Sequence, residues 1–230
     1  SGDWSSDVCS SDLNYKVARA SEYVFCITLW CVYTRAMKIP ELITEKFTLR
    51  PLREADLDEL VQICTDPETV RWTTVPLNYT RDDAQTFLTF TQRAAAAGRE
   101  LTWAIDDSGV LAGAISLRLP EGSANAPGTY ADLGFYTAPQ MRGRGIMTDA
   151  VRTVLGFGFD PLGLGLDTIG WAALVGNAAS ERVAVKAGFT NITDGTSTSA
   201  ARPDKYGNRK AVAVRQATMT RAQFAEIWRD

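Results

Sequence analysis

Residues 138–151, APQMRGRGIMTDAV, constrain the fold more than any other stretch of this sequence. They join a strand-like segment, TYADLGFYT at 129–137, to a helix-like run that begins at Gly145. Gly143 and Gly145 leave peptide N–H groups facing outward with no Cβ in the way. The following helix adds its own unpaired N–H groups and the positive end of its dipole. The pattern predicts an anion site suited to phosphate at this corner.

Other phosphate-binding motifs fit the stretch less well. The chain contains no G-x-x-x-x-G-K-[ST], so an NTPase P-loop is excluded. Thr148 stands where a dinucleotide fingerprint needs its third glycine, and no βαβ unit with a ribose-binding acid follows. Arg142 and Arg144 can add charge-assisted contacts to a phosphate. They are equally compatible with a plain glycine-rich connection that carries two solvated arginines, and the residues alone leave this alternative open.

The chain from residue 37 onward mixes hairpins with single helical crossovers. An edge strand is predicted around Phe47–Leu52, with Pro51 near its end. Asp56 is expected to cap a first helix that Pro67 stops, and Thr80 a second helix that ends at Gly98. The predicted order is β α α β β β α β α β, with a further short strand near 189–193 and a closing helix capped by Thr220. Hairpins combined with single crossovers indicate an α+β fold with a mixed sheet.

The first 36 residues differ from the rest. SGDWSSDVCSSDL has no apolar period, which is typical of disorder, and from Asp3 to Leu13 it resembles the translation of a sequencing-library adaptor. The apolar run from Tyr23 to Tyr33 is too short to span a bilayer and lacks a small-x-small cleavage site. We therefore expect residues 1–36 to be a non-native or disordered extension, with Met37 as the native start; an anchor or a helix in this segment is the alternative.

Composition excludes several kinds of chemistry. The sequence has no histidine, which rules out Ser-His-Asp and Cys-His catalysis and any zinc site that needs imidazole. Its four cysteines show neither metal-type spacing nor the density of a disulfide framework, so a reducing, cytoplasmic location is expected. The net charge of −3 argues against nucleic acid or an anionic membrane as the main partner. Cys64 is predicted to be a buried small hydrophobe and not a nucleophile.

Three motifs in register resemble the GNAT superfamily of acyl-CoA-dependent N-acyltransferases. Gln140-x-x-Gly143-x-Gly145 is similar to its Q/R-x-x-G-x-G/A signature, and NAASERVAVKAGF, 177–189, to its N-x-x-S-x-x-x-x-x-K-x-G-F segment. The opening KFTLRPLREADLDELVQICTDPETVRW resembles the branch that includes the ribosomal-protein alanine N-acetyltransferases. The resemblance covers about residues 46–218. It implies one GNAT-fold domain over 37–230, with a mostly antiparallel sheet whose central strands splay apart and are flanked by helices.

The resemblance also implies a cofactor site. Acetyl-CoA would be the acyl donor, with its pyrophosphate on the corner amides and its pantetheine arm between strands Tyr130–Thr137 and Leu166–Leu174. Backbone groups near Phe135 and Tyr136 would flank the thioester, and one amide would serve as an oxyanion donor. Asn177 matches the asparagine that contacts the cofactor arm. The residues expected to bind the cofactor are Phe135, Tyr136, Gln140, Arg142, Gly143, Arg144, Gly145, Ile146, Met147, Asn177 and Ser180.

Two residues are candidates for catalysis. Asp132 stands where several family members carry a catalytic glutamate, and it is the predicted general base that deprotonates the incoming ammonium. Its alternative is a polar residue on the exposed face of a half-buried strand. Ser180 matches the serine of the ribosomal-protein branch and would hydrogen-bond the thiol sulfur; its alternative is a first-turn serine that bonds its own backbone. The tyrosine that many members use as an acid is replaced by Ala184, and the branch's glutamate base has no counterpart near Ser199.

The resulting prediction is an N-acetyltransferase that moves the acetyl group of acetyl-CoA directly to a primary amine. The acceptor would be a small-molecule amine or a peptide N-terminus, without a metal, and the protein a monomer or homodimer. A non-catalytic acyl-CoA-binding module is one alternative, because the tyrosine is missing and the identity of the base is open; a nucleotide-phosphate-binding protein of unrelated chemistry is the other. Trp72, Trp103, Trp171 and Tyr136 are expected mainly in the core, with an acceptor pocket as the other possibility.

Overall fold

A computed structural model describes residues 16–17, 37–120, 130–204 and 206–228, with side chains from residue 37 onward. The predicted extension and the loop at 121–129 therefore lie almost wholly outside the described residues. Within the described part, the helices are α1 Leu57–Thr65, α2 Pro67–Trp72, α3 Arg81–Ala96, α4 Ile146–Phe159, α5 Ala178–Lys186 and α6 Arg221–Ile227. The strands are β1 Lys16–Val17, β2 Leu42–Ile43, β3 Thr48–Pro51, β4 Glu100–Asp107, β5 Val110–Arg118, β6 Tyr130–Thr137, β7 Thr168–Leu174, β8 Thr193–Ser197 and β9 Val212–Thr220.

The strands form one sheet in the order β1-β2-β3-β4-β5-β6-β7-β9-β8. Among the described strands, β6 and β7 are the parallel pair, because α4 crosses over between them, and the other neighbours run antiparallel. This confirms the predicted α+β class and the mostly antiparallel mixed sheet.

Helices cover both faces of the sheet. On one face α4 buries Val151 and Leu155 completely, and Phe157 meets Trp103 of β4 edge to face at 5.8 Å. Trp103 is fully buried, so it belongs to the core. On the other face α1 brings Cys64 beside Tyr136 of β6, while α3 packs against β4. Side chains along β4, β5 and β6 thus point alternately into the core beneath α4 and toward the opposite face of the sheet.

Local capping signals locate the helix starts well, with one exception. Thr80 and Asp83 form the capping box that starts α3, and Thr220 and Gln223 form the one that starts α6. Asp56 stands at the N-cap of α1, but its side chain caps no helical amide. That carboxylate instead accepts two hydrogen bonds from Arg50, at 2.7 and 2.8 Å, because a buried guanidinium needs an anionic partner more than the helix needs a cap.

Three further predictions about elements need correction. The strand at 48–51 is not an edge strand, because β2 pairs with Leu49 and Thr48; Pro51 lies beyond β2, where its missing N–H breaks no ladder. Pro67 does not simply stop α1, because it also opens α2 as its first residue, with Asp66 as N-cap. The short strand expected near 189–193 lies at Thr193–Ser197, after Phe189 has been drawn into the core.

Candidate active site

The central strands β6 and β7 diverge halfway along their length. Their parallel pairing runs from Tyr130 and Thr168 to Leu133 and Trp171 and stops there. Beyond that point Gly134–Thr137 pairs only with β5, and Ala172–Leu174 only with β9. Alternate backbone groups on the inner edges of both strands are therefore left facing a gap. Phe135 and Tyr136, which the family resemblance predicts to flank the thioester, both lie in this unpaired half.

The gap opens onto the glycine corner. Gly143 has φ 76° and Gly145, the N-cap of α4, has φ 82°, a left-handed region that favours glycine. A Cβ built on either residue would meet nothing within 4 Å, so the space in front of both is open. Among the described residues, the amides from Gly143 to Met147 find no acceptor in the chain. The corner therefore presents five successive free N–H groups at the positive end of α4, which suits a diphosphate.

The side chains around the corner do different work from its backbone. Ile146 and Met147 are buried in the core, so only their amides are available to a ligand. Gln140 lies exposed in the short turn between β6 and α4. Arg142 donates to Asp66 at 2.5 Å and to Thr69 at 2.9 Å, both at the start of α2. Arg144 pairs with Asp107 at 3.4 Å.

Both corner arginines are therefore held by carboxylates of this chain. The Arg142 pairing lowers the pKa of Asp66, although burial alone would raise it. Whether either guanidinium also contacts a phosphate stays a prediction.

A cleft of about 840 Å³ extends from the gap onto the face of the sheet opposite α4. Its floor is a cross-strand row in which Glu100 of β4, Arg118 of β5 and Asp132 of β6 stand side by side. Arg118 donates to Glu100 at 3.3 Å. The next row toward the gap consists of Thr102, Ser116 and Gly134, of which the first two are buried. The predicted base thus lies on the cleft floor and not on a solvated outer face.

Asp132 is fixed in position by Tyr130. The Tyr130 hydroxyl donates to Asp132 Oδ1 at 2.5 Å, and burial together with this carboxylate raises the pKa of Tyr130, so the phenol stays protonated. The ring lies over Gly170 of β7: a Cβ there would be 2.0 Å from the hydroxyl oxygen. Gly170 is therefore glycine because Tyr130 occupies the place of its side chain.

The start of α5 brings Asn177 and Ser180 to the cleft wall. Asn177 is the N-cap, and its side-chain oxygen accepts from the Ser180 amide at 3.1 Å. The Ser180 hydroxyl oxygen accepts from Trp171 Nε1, also at 3.1 Å. Because the indole N–H occupies one lone pair of this oxygen, the Ser180 hydroxyl proton is available to another acceptor. Trp171 is nearly fully buried and supports Ser180 from behind.

Cys64 lies on the opposite wall with Tyr79 and Tyr136. Burial raises the pKa of its thiol to about 12, so the thiol is protonated near neutral pH. Burial and then the neighbouring Cys64 raise the pKa of Tyr136 as well. The thiol is therefore not an activated nucleophile, as the sequence predicts for Cys64.

Sequence reasoning missed two parts of the site. The first is the Tyr130–Gly170 contact, for which the only local signal is a tyrosine two residues before Asp132, on the same face of the strand. The second is the wall formed by α2 and the segment behind it, of which the sequence names only Trp72, as a possible acceptor-pocket residue; Trp72 is half-buried and lines the cleft. The described residues contain no group of three or more His, Cys, Asp or Glu that could bind a metal. Within the same residues, no helix is both long and apolar enough to cross a membrane.

Comparison with known proteins places this geometry in a family. The sequence-family model of the acetyltransferase (GNAT) domain matches residues 46–190, which is more than half of the chain. No curated protein sequence matches the chain significantly.

Solved structures share the fold at low identity. Spermidine N-acetyltransferase from Vibrio cholerae, in complex with CoA and spermine, is 16% identical to this chain with a TM-score of 0.60. The alignment covers 79% of this chain and 99% of that protein. A microcin C7 self-immunity acetyltransferase in complex with acetyl-CoA and AMP is 16% identical with a TM-score of 0.62, over 77% of this chain and 93% of that protein. A ribosomal L7/L12 alpha-N-protein acetyltransferase in complex with coenzyme A is 16% identical with a TM-score of 0.59, over 77% of this chain and 95% of that protein.

These identities are too low to transfer an acceptor, but the fold and the family model agree. The parallel strands diverge above a corner of free amides, which is the site that the sequence motifs predict for acetyl-CoA. The chain therefore belongs to the GNAT acetyltransferase family and uses acetyl-CoA as its acyl donor.

Proposed function

We propose that this protein is an N-acetyltransferase that moves the acetyl group of acetyl-CoA directly to a primary amine, with Asp132 as general base and Ser180 at the departing sulfur. The observation that carries the proposal is the divergence of β6 and β7, which opens a gap between the glycine corner and the cleft that contains Asp132. A thioester arm that enters from the corner ends beside the cleft floor, where an amine can reach it from the other side.

The cofactor would be held mainly by backbone. The amides of Arg142, Gly143, Arg144, Gly145, Ile146 and Met147 would receive the diphosphate, and the free edges near Phe135 and Tyr136 would receive the arm. Asn177 would contact the arm from the start of α5, and Gln140 would border the corner. One free amide of β6 is suitably placed to stabilise the oxyanion of the tetrahedral intermediate.

Direct transfer requires protons to leave the nitrogen and a proton to reach the sulfur. The acceptor arrives as an ammonium, so Asp132 takes one proton before or during attack of the nitrogen on the thioester carbonyl carbon. The intermediate then breaks its C–S bond; its nitrogen gives up the second proton, and the released thiolate takes up a proton through the Ser180 hydroxyl, which is reprotonated in turn. Ser180 can donate to that sulfur, because its hydroxyl oxygen already accepts from Trp171. The protonated Cys64 supports direct transfer over a route through an acylated cysteine at this position.

Ala184 supports the serine route over the tyrosine route of other family members, because this position is fully buried and carries no hydroxyl. The ribosomal-protein branch has the same serine, and neighbours described as acting on a ribosomal protein and on spermidine share the fold. Both descriptions name nitrogen acceptors, which agrees with a primary amine here.

The test is thiol release from acetyl-CoA across a panel of primary amines, with Asp132→Asn as the diagnostic variant. We expect Asp132→Asn to lower kcat/KM by roughly 10²–10⁴-fold near neutral pH, since that is the usual contribution of a general base. The loss should shrink at high pH, where the amine is already neutral. Asp82→Asn, at an exposed acid of α3 outside the cleft, is the matched control and should keep the parent profile.

Two results would contradict the proposal. If acetyl-CoA binds but no amine is turned over, the protein is an acyl-CoA-binding module. If Asp132→Asn keeps the parent rate and pH profile, another group removes the proton.

A further inference from the structure

The short helix α2 and the residues that follow it form one wall of the cleft. Glu68, Thr69 and the segment Trp72–Pro76 line it. The facing wall includes Ser199, Ala200 and Pro203, which belong to the connection between β8 and β9. These two walls are far apart in the sequence, so the contact between them decides how wide the cleft can open.

Arg202 ties the two walls together. Its Nε donates to the carbonyl oxygen of Val75 at 2.9 Å, and its Nη2 donates to the carbonyl oxygens of Thr73, at 3.1 Å, and Val70. Val70 and Thr73 lie at the C-terminal end of α2, where helix carbonyls lack partners and the dipole favours a cation. Hydrogen bonds from a guanidinium are roughly twice as strong as neutral ones. We call this set of three bonds the Arg202 clamp.

Two other contacts fix the first and the last turn of α2 to neighbouring parts of the chain. Arg142 of the glycine corner bonds Asp66 and Thr69 at the first turn of α2. At the last turn, the Trp72 indole lies over Gly176, where a Cβ would be 3.4 Å from the ring. The helix is thus fixed to the corner, to the turn between β7 and α5, and to the β8–β9 connection. The part of the cleft lining that α2 provides is therefore held in place by three separate contacts.

The size of the cleft limits what it can accept. Its volume of about 840 Å³ has to hold the thioester arm and the acceptor together. This is within the range of about 300–1,000 Å³ that is usual for small-molecule sites. Ala200 and Pro203, on either side of Arg202 in the sequence, line the cleft together with Thr73 and Val75, which Arg202 bonds, so the Arg202 clamp limits how far these parts of the lining can separate for a longer acceptor.

The lining also indicates the chemistry of the acceptor. Phe87 and Phe90 of α3 stack at 6.4 Å on the cleft wall, and Phe90 is 45% exposed. Val75 and Pro76 extend this apolar surface.

All four acids that line the cleft have hydrogen-bond partners within the chain. Glu68 accepts from Trp72 at 2.8 Å, Glu100 from Arg118, and Asp83 from the start of its own helix. Asp132 accepts from Tyr130 through Oδ1, which leaves Oδ2 for an ammonium. Because Arg118, Arg142 and Arg209 line the same cleft, one amine on an apolar body fits this lining better than a polycation.

We infer that the acceptor is a small primary amine with an apolar body, and that Arg202 determines specificity by keeping the cleft too narrow for the N-terminus of a longer chain. The inference rests on the proposed acetyl transfer to an amine. Arg202 does not touch the reacting atoms; it acts by holding α2 against the β8–β9 connection.

The experiment compares one amine on bodies of increasing length. Phenylalaninamide and a hexapeptide of phenylalanine followed by five alanines carry the same α-amine, and spermidine provides a polycation. For the wild-type protein, kcat/KM should be roughly 100-fold higher for phenylalaninamide than for the hexapeptide, with a steep fall across the intermediate peptides.

The variants isolate the Arg202 clamp. Arg202→Ala should narrow that ratio about tenfold, mainly by lowering KM for the hexapeptide. Arg202→Lys keeps the charge but not the planar set of donors, so it should lie between the two. Lys210→Ala removes an exposed cation from the same connection without touching the cleft, and it should keep the wild-type ratio.

The outcomes are distinct. Wild-type protein that acetylates the hexapeptide as well as phenylalaninamide, or that prefers spermidine, overturns the inference while leaving acetyl transfer intact. An unchanged ratio in Arg202→Ala overturns the role of Arg202. Acetyl-CoA binding without turnover of any amine overturns the proposed function and the inference with it. If the Arg202 variants do not fold, the wild-type length series still decides the acceptor class.

Discussion

At the scale of single residues, Gly170 has the most specific role. The Tyr130 ring, whose hydroxyl donates to Asp132, fills the space that a side chain at Gly170 would need. The pair shows how two neighbouring strands can orient one carboxylate before their pairing stops. Neither residue has to touch a substrate for the orientation of Asp132 to depend on it.

Gly170→Ala is expected to lower kcat while leaving acetyl-CoA affinity near the parent value. The added Cβ would lie 2.0 Å from the Tyr130 hydroxyl oxygen, so the ring must move and Asp132 loses its donor. A displaced catalytic group of this kind costs about 10- to 100-fold in rate. Steady-state kinetics over a pH series, together with acetyl-CoA binding by calorimetry, measures both quantities.

Tyr130→Phe is the companion variant, because it removes the donor without adding volume. It should change the pH profile in the same direction as Gly170→Ala, by a smaller amount. Parent-like kcat and an unchanged pH profile in both variants would show that Tyr130 does not position Asp132.

At the scale of elements, Arg50 joins three parts of the sheet edge. Its nearly buried guanidinium bonds both Asp56 oxygens at the start of α1 and, through Nε, Asp106 of β4 at 2.6 Å. Asp106 also accepts from the Gly109 amide in the hairpin turn at 2.7 Å. Burial alone would raise the pKa of Asp106, but the Arg50 and Gly109 hydrogen bonds lower it below its usual value.

This lowered pKa predicts an acid-sensitive fold. A carboxylate whose pKa is depressed by folding stabilises the protein above its unfolded pKa, and that contribution is lost as the pH falls through the folded pKa. Asp106→Asn should therefore cost about 1.5–3 kcal/mol of unfolding free energy near neutral pH, as expected for a hydrogen bond to a charged group. Urea unfolding at several pH values should also show a shallower loss of stability below pH 4 in the variant than in the parent. Equal pH slopes for both proteins would contradict this role.

The elements themselves were largely predictable, because their signals are local. Thr80, Thr220 and Gly98 mark helix ends through their own neighbours, and the 101–119 hairpin is marked by its turn. The start of α2 carried a local signal too, since Asp66-Pro67 is a cap followed by a proline at the first helical position. Pro67 alone predicts the end of α1, whereas Asp66 and Pro67 together predict the start of α2. The position of β2 beside β3 had no such local mark.

At the scale of the whole molecule, the site is assembled from segments that sequence spacing does not relate. Motifs located the glycine corner, Asn177, Ser180 and Asp132, and the fold brings them around the gap between β6 and β7. The contacts that shape the acceptor side are different. Arg202 bonds carbonyls 127 to 132 positions earlier in the chain, and such partners can be found only after the sheet is assembled. The positions of the residues expected to bind the cofactor were therefore predictable, and the contacts around the proposed acceptor site were not.

The proposed transfer depends on the corner amides, which would bind the diphosphate of acetyl-CoA. The most direct test is the acetyl-CoA dissociation constant of a Gly143→Val and Gly145→Val double variant, measured by calorimetry beside the parent. Gly109→Val is the matched control, because Gly109 also has a positive φ of 89° and open space around it but lies in the distant β4–β5 turn. Valine should displace the free amides and close the space in front of them. We expect at least about 100-fold weaker binding in the double variant, equivalent to roughly 2.7 kcal/mol, and parent-like binding in the control. A folded double variant that binds acetyl-CoA as tightly as the parent would contradict this role of the corner amides.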